Sequence, residues 1–130
     1  MLKTAFVLAA GLIAGGSIVQ GLHAQMKPPA YQIAMIDIKD EAGYKAAVGD
    51  VRKHVEGAGG KFIVTAGAGG YTSGQITSPT GDKVPSRIVI SEWSNIDSVD
   101  KWWKEAGDKD IKALGQHATL HLYTVEGLSK

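Results

Sequence analysis

The chain predicts an α+β domain of order strand–helix–strand–strand–helix–strand, and three observations predict it. Four runs rich in β-branched and aromatic residues, at 31–38, 62–66, 87–93 and 118–126, are too short for ordinary helices. Two longer segments between them carry single apolar stripes at helical spacing. Glycine, serine and proline clusters separate the segments, and no internal repeat interrupts the order.

Tyr31–Ile38 opens the domain as a strand with apolar residues on both faces. Asp40 is a ready N-cap for the first helix, with Glu41 in its first turn, where negative charge suits the helix dipole. Tyr44, Ala47, Val48, Val51 and Val55 form its buried stripe, and Gly57-Ala58-Gly59-Gly60 ends it. Phe62–Ala66 is the second strand. Residues 67–85 are loop, with a turn at Ser78-Pro79-Thr80-Gly81-Asp82. Arg87–Trp93 is the third strand, expected to turn Ile88 and Ile90 toward the helices. Ser94-Asn95-Ile96-Asp97 resembles a capping box that opens the second helix, striped by Ile96, Val99, Trp102 and Ala106. A further short helical turn covers 108–115. The last strand, Ala118–Glu126, is expected to put Leu120 and Leu122 on the helix side.

That order is the split β-α-β, ferredoxin-like pattern: two helices on one face of a four-stranded antiparallel sheet. The other face stays open. Strands with apolar residues on both sides favour covering it with a second copy, sheet to sheet, as a dimeric α/β barrel. The expected partner is the chain itself.

Ahead of the domain, Met1–Thr4 carries one positive charge, Ala5–Val19 none, and Leu22-His23-Ala24 ends the segment on small residues. These are the three parts of a secretory signal peptide over residues 1–24. The apolar run falls short of the roughly 20 residues of a bilayer-spanning helix, although an uncleaved anchor is the alternative reading. Cleavage after Ala24 leaves a short lead-in, 25–30, and a domain over 31–130. The expected location is outside the cytoplasm, the periplasm in a Gram-negative source, with no stable membrane span afterwards. The 14 basic and 13 acidic residues give no charge-based reason to expect nucleic acid. Absence of cysteine removes disulfides, thiolate metal sites and cysteine nucleophiles.

Several segments together resemble the bacterial family known as domain of unknown function 1330, in particular its exported members. They are Pro28-Pro29-Ala30-Tyr31 leading into Ile36-Asp37-Ile38, the helix with Tyr44, Gly59-Gly60-Lys61-Phe62-Ile63, Arg87–Trp93, Trp102-Trp103 and Tyr123–Gly127. The resemblance implies the ferredoxin-like fold and the dimeric barrel, and no function. Two departures stand out. Gly69–Gly74 replaces the Leu-Glu-Gly segment usual after the second strand, and Glu105–Ile111 lacks the tyrosine that relatives place after the aromatic pair.

The candidate ligand-binding residues are Arg87, Ser91, His121 and Tyr123, expected to converge inside the barrel as polar groups in an apolar cavity. His121 and His54 are the candidate proton-transfer residues, because histidine titrates near neutrality. His117 and His121 have His-x-x-x-His spacing, but in a strand four residues span roughly 13 Å. Two ligands each about 2 Å from one metal cannot bridge that. No metal is expected. The glycine clusters match no phosphate-binding loop, no Gly-x-Ser-x-Gly elbow exists, and no cofactor is called for. Trp93, Trp102 and Trp103 read first as packing. Three functions remain open: a binder of a small, mostly apolar molecule; a cofactor-independent oxygenase or isomerase using a barrel histidine; or an interaction module without a ligand.

Overall fold

The computed structural model describes residues 27–70 and 74–129. The expected signal segment 1–24, the first residues of the lead-in, and Tyr71-Thr72-Ser73 of the glycine-rich loop lie outside them.

The described chain is a four-stranded antiparallel sheet in the order β2-β3-β1-β4, built from β1 (Ala30–Ile38), β2 (Lys61–Gly67), β3 (Arg87–Trp93) and β4 (Ala118–Glu126). One face is covered by α1 (Glu41–Gly57) and by a second helical run. That run is α2 (Ile96–Trp102), a π-helical turn (Trp103–Gly107) and α3 (Asp108–Leu114), with helical dihedrals at both joins. The two helical pieces expected after the third strand are therefore one rod with a widened turn in it.

Local sequence explains the ends of these helices. The Asp40 side chain accepts from the Gly43 N–H at 3.1 Å, and Lys39 N–H and Asp40 N–H both donate to the His117 carbonyl. At α2 the cap is Asn95, whose Oδ1 accepts from Ser98 N–H at 3.1 Å; Ser94 Oγ meets Ser98 Oγ instead. The capping box expected at Ser94 is thus shifted by one residue. Asp97, its expected reciprocal partner, is taken by an ion pair with Lys27 at 2.6 Å.

Two clusters make the core between sheet and helices. Ala34, Ile36, Tyr44, Val48, Leu114 and Ala118 form the first; Ala30, Val55, Trp93, Val99 and Trp102 form the second. Trp93 and Trp102 stack tilted with centroids 5.7 Å apart. Their close packing requires bare backbone: a Cβ on Gly107 would meet the Trp102 ring at 2.7 Å.

Strand parity departs from expectation in β3. Leu120 and Leu122 pair with Ile36 and Ala34 and face the helices as expected. In β3, however, the helix side holds Arg87, Val89, Ser91 and Trp93, while Ile88 and Ile90 pair with Met35 and Ile33 on the open face. A strand apolar on both faces leaves parity undecided, and Trp93 decides it. It is 1 % exposed and pairs with buried Ala30, and the period of two carries every odd residue of β3 inward with it.

Candidate functional site

Between the two core clusters lies a cavity of about 70 Å³. Its walls are mostly aliphatic and aromatic side chains, and Gln32, Tyr44, Arg87, Ser91 and Trp102 bring polar atoms to them. Half-buried Arg52 also lines it, which brings one end of the cavity toward the surface. This cavity therefore lies within the chain, under the helices, and not on the open face of the sheet.

Each polar group sits there for a structural reason. Gln32 has the inward parity of Ala30, Ala34 and Ile36 and reaches Thr124 Oγ1 only at 3.4 Å. Ser91 Oγ accepts from the Trp93 indole N–H at 2.8 Å. Arg87 starts β3, and its Nη1 donates to the carbonyls of Ala68 (2.9 Å) and Gly70 (2.6 Å), fastening the glycine-rich loop. Its guanidinium lies 5.8 Å over the Tyr44 ring. Burial pushes the Tyr44 phenol upward from its ordinary value, with Arg87 pulling the other way, so at neutral pH it is a neutral hydroxyl.

Two buried donors that belong to lining residues have no partner among the described residues: Arg87 Nε and Trp102 Nε1. Both residues are 2 % exposed. Buried N–H groups almost always find acceptors, so two orphans on one cavity are unusual.

The four expected ligand residues are split by the sheet. Arg87 and Ser91 line the cavity; His121 and Tyr123 are exposed on the opposite face, paired with Met35 and Ile33. The convergence of all four fails because β3 has the opposite parity to that expected, while β4 has the expected one. Glu92 is on the open face too, where its Oε2 accepts from Tyr31 OH at 3.2 Å and pushes that phenol upward. His54 lies outside the cavity lining: its Nδ1 is 2.9 Å from Asp110 Oδ2, joining α1 to α3, with the histidine half-exposed and the carboxylate buried. His117 Nδ1 meets Asp40 Oδ2 at 2.9 Å at the start of α1. Among the described residues no group of three His, Cys, Asp or Glu is placed to hold a metal.

Gln32 and the Trp102 indole N–H are site groups that sequence reasoning passed over. Gln32 had a signal, as the one polar residue of inward parity between Ala30 and Ile36. Trp102 had none, because its ring reads as core and only the rotamer reveals where the N–H goes.

The family profile described as "Domain of unknown function (DUF1330)" matches residues 29–128. The chain belongs to that family. As a DUF1330 member it also has structural likeness to RPA0582, a protein of unknown function from Rhodopseudomonas palustris, at 14% identity and TM-score 0.55 over 88% of this chain and 94% of that one. The methylated form of RPA0582 gives the same identity and TM-score. SnoaB, a cofactor-independent oxygenase from Streptomyces nogalater, is similar at 12% identity and TM-score 0.54, covering 79% of this chain and 96% of its own. At these identities the likeness is one of fold, the ferredoxin-like α+β sheet. Among curated proteins none matches the sequence.

Proposed function

We propose that this DUF1330 chain is an exported, dimeric binder of a small, mostly apolar molecule, held in the cavity between sheet and helices of each protomer. The observation that carries the reading is the pair of orphaned donors, Arg87 Nε and Trp102 Nε1, on residues that line a mostly apolar cavity. A bound molecule with acceptor oxygens satisfies them, whereas a cavity meant to stay empty gains nothing from buried N–H groups.

Pairing through the open face draws support from its composition. Ile33, Met35, Ile88, Ile90, Tyr123 and Val125 lie on it, with Met35 41 %, Val125 43 % and Tyr123 54 % exposed. Apolar surface of this kind on a small domain favours a second copy. Export rests on the residues of 1–24, and among the described residues no helix is long and apolar enough to cross a membrane.

Catalysis of the SnoaB kind is the weaker reading. Among the described residues the cavity lining includes no histidine or carboxylate, and both expected proton-transfer residues, His54 and His121, lie off it. Binding without a general base fits those walls better.

Native mass spectrometry on protein exported and purified from its own host tests the proposal. The expected result is a dimer of chains beginning at Gln25, carrying one extra small mass per protomer. A monomer overturns the pairing. A dimer that stays bare, and that takes up no small molecule in a fragment screen by the same method, overturns the binding.

A further inference from the structure

Arg87 raises a charge question that its hydrogen bonds do not answer. The residue is 2 % exposed, yet its partners among the described residues are two neutral carbonyls and Tyr44, whose ring it lies over and whose hydroxyl is neutral. Among the described residues no carboxylate forms an ion pair with it; Glu41, Glu56, Asp97, Asp108 and the two histidine-bound aspartates are all engaged elsewhere. A buried cation without an anion is costly, and arginine keeps its proton instead of shedding the charge. The carbonyls of Ala68 and Gly70 take Nη1, while the buried Nε of the same cavity-lining residue has no partner among the described residues.

We infer that the ligand of this cavity is an anion, a short aliphatic carboxylate whose oxygens face Arg87 while its stem lies along the apolar wall. This rests on the small-molecule reading above and names the ligand's chemical class. A carboxylate supplies both what Nε lacks, an acceptor, and what the guanidinium lacks, a countercharge. Phosphate and sulfate fit less well, because aliphatic walls satisfy none of their outward oxygens. Size sets the probe. The cavity is about half the ~150 Å³ space that accepts benzene, so a ligand of a few heavy atoms matches it.

The test titrates the full dimeric protein with butyrate and, separately, with butyramide, which has the same shape and no charge. The readouts are calorimetric affinity and the ¹⁵N resonances of the Arg87 Nε–H and the Trp102 indole N–H, the latter assigned with Trp102→Phe. Saturable shifts of the Arg87 resonance and at least tenfold tighter binding of butyrate are expected. Arg87→Lys, which keeps the charge, should retain a preference for butyrate; Arg87→Gln should lose it. Arg52→Gln, at the rim, should leave the preference intact. Should Arg87→Gln not fold, the wild-type comparison and the Arg52→Gln control still decide. Equal affinity for the two probes overturns the carboxylate and leaves the small-molecule reading standing. Loss of the preference in Arg52→Gln assigns the anion to the rim and overturns the role of Arg87. No binding of butyrate, together with uptake of neutral fragments, overturns the anion alone; no binding of anything overturns both.

Discussion

Gly107 shows how one missing side chain shapes the site. The π-helical turn brings its Cα against the six-membered ring of Trp102, and three ring atoms lie within 2.8 Å of where a Cβ would stand. Gly107→Ala must displace a ring that is packed on Trp93 and lines the cavity, so a loss of about 1–3 kcal/mol is expected in urea unfolding. Asp40 is a second residue with a measurable signature. The Gly43 N–H first, and His117 second, hold its carboxyl below the usual aspartate value. A folded-state pKa below the unfolded one contributes stability above the ordinary range near ~3.9 and loses it as pH falls through the folded value. Asp40→Asn should therefore be less stable than wild type at pH 7, with the gap closing in acid; a gap that stays constant with pH in urea melts would contradict this. His121 offers the opposite contrast. Standing on the open face, it should be replaceable by alanine without changing affinity for any cavity ligand, as calorimetry would show.

Among the elements, the second helical run is the most informative. Its sequence reads as two pieces because Gly107 interrupts the apolar stripe, and it folds as one because a π-turn accommodates the glycine without leaving helical space. Its start is set by Asn95 and not Ser94: a single carboxamide oxygen reaches the Ser98 N–H, and Asp97 is drawn off by Lys27. Asn95→Ala should cost about 1 kcal/mol in thermal or urea unfolding, as the loss of an N-cap does, and Ser94→Ala clearly less. Equal effects would mean that both side chains share the cap. β3 carries the other lesson at this scale. Ile-Val-Ile is apolar at every position, so its alternation allows two orientations, and the neighbouring polar residues mislead: Arg87 and Ser91 are the pair that turns inward.

At the scale of the molecule, the sheet separates two surfaces with different tasks. The inner one holds the cavity and the charge of Arg87; the outer one presents exposed apolar side chains and is the face proposed for pairing. Tyr123→Asp places a charge on that outer face, midway along the edge strand β4, while sparing the core, since Tyr123 is already more than half exposed. A folded monomer by analytical ultracentrifugation with unchanged circular dichroism is expected; a dimer of undiminished stability would remove the open face as the pairing surface.

Element order, helix stripes, the caps' neighbourhood and family membership were all legible in the sequence, because periodicity and turn chemistry are local properties that each segment carries within itself. Arg87 and Ser91, singled out in the sequence, line the cavity beneath the helices, whereas His121 and Tyr123 stand on the opposite face. What the tertiary structure alone decided is which way β3 faces, and with it where the site lies. The orientation hangs on the burial of Trp93 against Ala30 and Trp102, contacts between residues far apart in the chain. A two-residue period, identical on both faces of an apolar strand, holds no trace of that choice.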